Sequence, residues 1–162
     1  MGCMGQSNIE YDKEFYKKLE EAQEFEDFVY NLLYQEGIPV VGFNSQKYQF
    51  AKGENMAGIE IKHDKNYEKT GNLYIETAEK RYPNNPEYVQ SGINRGDNSW
   101  LYLIGDYNII YIFPIKYLQI WQLSGKFKEV EIETSQGYLL RKDAAEKRAI
   151  KILKPNNANR VA

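Results

Sequence analysis

Glu60 and Lys62 stand two residues apart in Gly58-Ile59-Glu60-Ile61-Lys62, a stretch that reads as a β-strand. Side chains alternate along a strand, so Ile59 and Ile61 share one face, and Glu60 and Lys62 share the other. A carboxylate and an ammonium held side by side on a rigid strand can bind a metal ion and position a water. Cutting a phosphodiester bond needs that chemistry. The spacing alone says little: with 23 acids and sixteen lysines in 162 residues, random placement gives acid-x-Lys about twice. The bland alternative is an exposed ion pair worth almost nothing.

The elements that must position the pair come next. A helix is expected from about Tyr11 to Gln35, where Phe15, Leu19, Ala22, Val29 and Leu33 recur at three- and four-residue steps. Glu26 falls in the gap between Ala22 and Val29, in the same register. A carboxylate on an apolar face is expensive unless it is paired or meets a metal; the bland reading is that the face is narrow there and Glu26 reaches solvent. Gly37 and Pro39 end the helix. Short extended pieces are expected at Val40–Phe43 and Tyr48–Ala51, then a glycine-bounded turn carrying Glu54 leads into the Glu60 strand.

Beyond a polar loop, Asn72–Ala78 reads as a strand with Leu73, Ile75 and Thr77 on one face and Tyr74 and Glu76 on the other. Residues 80–99 form a long polar connection, a kind of loop that is often functional. Trp100–Ile104 and Ile109–Phe113 read as a hairpin of two central strands. Pro114 opens a helix to about Leu123. Val130–Glu133 and Tyr138–Leu140 suggest edge strands, and a last helix is expected from Asp143 to about Leu153. The order implies an α/β (α+β) fold, a mixed central sheet flanked by helices. Residues 11–154 form one domain in this reading, with loose ends at 1–10 and 155–162.

Composition narrows the classes. Hydrophobic residues make up 42% and charged ones 27%, ordinary for a soluble globular chain. The net charge of −2 argues against a passive phosphate binder, which is usually basic; a metal-dependent nuclease is a partial exception. Fourteen Tyr suit either nucleobase stacking or half-buried strand positions. A single Cys (Cys3) forbids an internal disulfide, and with one His (His63) it excludes an ordinary structural zinc site. No apolar run spans a bilayer and no signal peptide is evident, so a cytoplasmic protein without membrane partners is expected.

On these residues the chain resembles the PD-(D/E)xK nuclease superfamily, with its restriction-endonuclease-like and Holliday-resolvase-like core. The resemblance covers roughly residues 11–125. Glu60 and Lys62 match the second acid and the lysine, and Glu26 matches an acid that many members carry on the first helix. The family usually carries an Asp well before the acid-x-Lys pair. Here no Asp lies between Asp27 and Asp64, and its stand-in is Glu54, from the turn, or Glu76, on the adjoining strand.

The resemblance implies Mg²⁺- or Mn²⁺-assisted hydrolysis of DNA. Glu60 with Glu54 or Glu76 would hold the metal, Lys62 would orient or help activate the water, and Glu26 would hold a metal-bound water or a second ion. Lys65, Lys69, Lys80, Arg81 and Arg95, in loops flanking the site, could grip phosphates, although charged loops are usually just solvated. Cutting two strands needs two sites, which would suit a homodimer. A catalytically inactive nuclease-like domain that binds nucleic acid or a protein is the rival reading. His63 should point away from the pair with Ile61, as a structural residue, and Asp64 should serve the loop at the strand end.

Overall fold

The computed structural model describes residues 4–42 and 45–155. Cys3 and residues 156–162 lie outside them, as does Phe43 of the first expected strand. The described residues form an α/β protein with two four-stranded sheets and five α-helices.

Helix α1 (Met4–Gln35) starts before the expected Tyr11. Its last turns bury Phe25, Val29, Leu32 and Leu33, whereas Phe15 and Leu19 stay exposed. The apolar stripe therefore continues past the part of the helix that meets the body. Gly37 closes the helix: its N–H donates to Tyr34, and Ile38 donates to Leu33, pairing two carbonyls the helix would leave bare.

The mixed sheet has the order β1 (Ile59–His63), β4 (Leu101–Gly105), β5 (Ile110–Pro114), β8 (Lys151–Leu153). Strands β1 and β4 run parallel, while β4–β5 and β5–β8 are antiparallel. The expected hairpin is present as β4–β5, and the helix after it is α4 (Ile115–Leu123). One face of this sheet packs on α1 through Ile59, Ile61, Leu103, Ile110 and Ile112. The other face packs Tyr102, Ile104, Tyr111 and Phe113 against the second sheet and α4. That antiparallel sheet has the order β3 (Val89–Gln90), β2 (Asn72–Glu79), β7 (Ser135–Arg141), β6 (Glu129–Ile132).

Three expectations are corrected. The strand expected at Tyr48–Ala51 is a helix, α2 (Gln46–Lys52), and the piece before it contributes only a single bridge, Gly42 to Asn55. The segment around Tyr138–Leu140 is not an edge strand: β7 lies inside its sheet, between β2 and β6. The last helix, α5 (Lys142–Arg148), stops early because Ile150 donates to Ile112 and the chain continues as β8. The short helix α3 (Tyr67–Thr70) joins β1 to β2.

Candidate active site

Strand β1 is an edge strand, so its outer N–H groups need partners from elsewhere. Side chains of the preceding turn supply them. Asn55 accepts from the N–H of Ile59 at 3.0 Å and donates to the Ile59 carbonyl at 2.7 Å. Glu54 accepts from the N–H of Ile61 at 3.3 Å through Oε2. Covering the strand edge in this way also brings the Glu54 carboxylate beside Glu60.

Glu60 is fully buried. Its Oε1 faces Lys62 Nζ at 3.2 Å without an aligned hydrogen bond, and its Oε2 lies 3.3 Å from Arg95 Nη1. The same Nη1 is 3.8 Å from Glu54 Oε1, so two carboxylates converge on one guanidinium nitrogen. Arg95 is further held by Asp97 Oδ2, at 3.0 Å from Nε, and by the Gln49 carbonyl, at 3.1 Å from Nη2.

Lys62 Nζ also lies 3.9 Å from Glu76 Oε1. Glu76 is fixed by two hydroxyls: Ser91 donates to Oε1 at 2.6 Å and Ser135 to Oε2 at 3.1 Å. The β2–β7 register shifts between Glu76 and Ala78, a bulge of the kind that re-aims a side chain. Gly92, with φ of 52°, lets the Ser91 turn sit on the Glu76 backbone; a Cβ there would stand 2.3 Å from the Glu76 carbonyl oxygen.

These groups disturb one another. Burial, with the Glu60 charge, pushes Glu26 up to about 7 despite the nearby Lys62. Burial and Glu60 push Glu54 up to about 9, Lys62 again opposing. For Lys62, burial acts to lower the pKa, but Glu60, Glu76, Tyr102 and Glu54 outweigh it and hold the ammonium well above its usual range. Lys62 is thus held as a hydrogen-bonding cation.

Lys62 keeps about one-third of its side-chain surface open, at 35%. It opens onto a cleft of about 430 Å³ that Lys65, Tyr74, Glu76, Tyr102 and Ile132 also line. Lys65 pairs with Glu21 of α1. Lys69 is exposed on α3. Lys80 lies over the Tyr88 ring at 4.8 Å and Arg81 over Tyr82 at 5.3 Å. Arg95, expected on a loop facing phosphates, instead sits among the acids.

His63 stacks on Phe25 at 4.2 Å, on the α1 side and away from Glu60 and Lys62. Asp64 accepts from the N–H groups of Asn66 and Tyr74, fastening the β1 end to β2. Sequence reasoning missed Ser91, Ser135 and Asp97. A lone Ser or Asp in a polar connection carries no signal of the carboxylate or guanidinium it will hold.

Among the described residues no three His, Cys, Asp or Glu side chains group closely enough to hold a metal ion. Mg²⁺ does not require such a cage, because it binds through one or two carboxylates together with water and substrate phosphates. Glu54 and Glu60, aimed at one cationic point, have the donor chemistry for it. No protein family, curated protein or solved structure matches this chain.

Proposed function

We propose that the protein is a metal-dependent nuclease hydrolysing phosphodiester bonds in DNA, with Glu60 and Lys62 at its active centre. One observation carries the reading. A fully buried Glu60 is kept beside Lys62, Glu54 and Arg95, with Glu26 and Glu54 pushed far up. Burying several charges together rarely stabilises a fold, and strongly shifted acids cluster at functional sites.

Glu54 and Glu60 would hold Mg²⁺ or Mn²⁺, which when bound supplies a Lewis acid for the phosphate. Lys62 would donate to the attacking water and to a non-bridging phosphate oxygen as negative charge builds on it. Glu26, pushed up to about 7, has the acidity of a base that takes a proton from that water at neutral pH. The water oxygen bonds to phosphorus, the P–O ester bond breaks, and the leaving oxygen takes up a proton from bulk water. Glu76, with both oxygens held by serines, would fix the Lys62 ammonium.

A second reading is favoured by Arg95. It already supplies a positive charge between Glu54 and Glu60, as a catalytically silent domain that binds nucleic acid or protein would need. Cleavage of plasmid and linear DNA with Mg²⁺ or Mn²⁺ separates the two. The nuclease reading expects EDTA-sensitive cleavage that Glu60→Ala and Lys62→Ala abolish; an inert parent that ignores divalent cations supports the silent domain.

A further inference from the structure

Trp100 lies at the Gly58 end of β1 and takes no part in the proposed hydrolysis. It stands directly before β4, on the sheet face that carries Tyr102. Its N–H donates to the Gly58 carbonyl at 2.9 Å, which sets it opposite Gly58. The Glu60–Tyr102 pair follows one pleat repeat along, about 7 Å away. Trp100 is 60% exposed, yet its ring is held. Its Nε1–H donates to the Ala57 carbonyl at 2.7 Å. Gly58 makes room for it: at φ of 68°, a Cβ there would lie 2.6 Å from Trp100 Cδ1 and 2.5 Å from the Asn98 carbonyl oxygen.

A core tryptophan would be covered, and an incidental surface one would not be pinned at both its indole and its backbone. The two segments bonded to this loop each bring an exposed lysine. Asn98 donates to the carbonyl of Lys52, and Ile115, just before Lys116, donates to the carbonyl of Trp100. Neither lysine makes an ion pair among the described residues, although the chain as a whole is acidic. An exposed, held ring on a loop whose bonded segments carry exposed lysines is the combination that single-stranded nucleic acid uses: bases stack, and phosphates meet lysines.

We propose that Trp100 is a stacking platform for an unpaired nucleobase, with the strand's phosphates taken by Lys52 and Lys116. This rests on the nuclease reading and deepens it by naming unpaired nucleic acid as the substrate class.

The test is binding of a short labelled oligothymidylate to the full chain in EDTA, followed by anisotropy and by indole emission. Trp121→Phe leaves Trp100 as the only tryptophan, and Trp100→Phe leaves Trp121 as the control. Saturable quenching is expected in Trp121→Phe and not in Trp100→Phe. Trp100→Ala should weaken binding about tenfold or more, Trp100→Phe should weaken it less, and the same sequence as a duplex should bind more weakly.

Unmoved Trp100 emission, unchanged affinity in Trp100→Ala, or equal affinity for the duplex overturns the proposal. Should Trp100→Ala fail to fold, the quenching comparison still decides. Binding that quenches Trp100 without any Mg²⁺-dependent cleavage sinks the hydrolysis and leaves the platform. Cleavage that Trp100→Ala does not alter sinks the platform and leaves the hydrolysis.

Discussion

The two faces of β1 obey different rules. Ile59 and Ile61 point at Phe25, Val29 and Leu33 of α1 and are buried among apolar neighbours. Glu60 and Lys62, one residue out of step, point at carboxylates, a guanidinium and a cleft. The first face is explained by the hydrophobic effect alone. The second would be better packed, for stability, with apolar residues of the same volume. A single five-residue strand thus separates what holds the fold from what the fold is proposed to do. The separation holds because side chains on a strand alternate strictly.

The comparison is broken most severely by Lys62→Met. Cleavage should fall by about a hundredfold to a thousandfold, the loss typical when one donor to developing charge is removed, while the circular dichroism spectrum stays unchanged. Ile61→Ala should do the reverse. Urea unfolding should show about 2–5 kcal/mol lost, with cleavage per folded molecule kept.

A pH series sharpens the charged face. Burial and the Glu60 charge hold Glu26 up at about 7 and Glu54 up at about 9 in the folded protein, above the ordinary carboxyl value of 4.5. Between those limits the folded state holds more protons than the unfolded one, so stability falls as pH rises from about 4.5 to about 9. Thermal melts without metal should show that fall, Glu54→Gln should flatten it, and Mg²⁺ should offset it. The smallest effect belongs to Phe15→Ser. The residue lies on the part of α1 that never reaches the sheet, and unfolding should shift by no more than about 0.5 kcal/mol.

Long periodic elements were legible in the sequence: α1, the β4–β5 hairpin, α4 and β2. Short apolar runs were not. Tyr48-Gln49-Phe50-Ala51 has strand-like residue types but is too short for periodicity to choose, and it lies within a helix closed by Gly53. Lys151-Ile152-Leu153 continues a helical composition and becomes a strand only because β5 offers an open edge. Glu60 and Lys62 could be placed on one face from alternation alone, and His63 on the other. Which acid meets Glu60 could not be read, because Glu54 arrives through a hydrogen bond to the N–H of Ile61. Arg95 could be placed in a loop beside the site, but its partners could not be read, since Glu54, Glu60 and Asp97 are brought together only by the tertiary fold.

The most direct measurement takes Glu60→Gln/Lys62→Met beside the parent, each assayed for Mg²⁺-dependent DNA cleavage and for urea stability. The double change removes the paired charges together and leaves Arg95 with Glu54 and Asp97. A site kept for chemistry at the expense of stability predicts no cleavage and a protein as stable as the parent, or more stable by about 1–4 kcal/mol. A double variant that still cuts DNA at the parent's rate, or one that loses its fold, would contradict it.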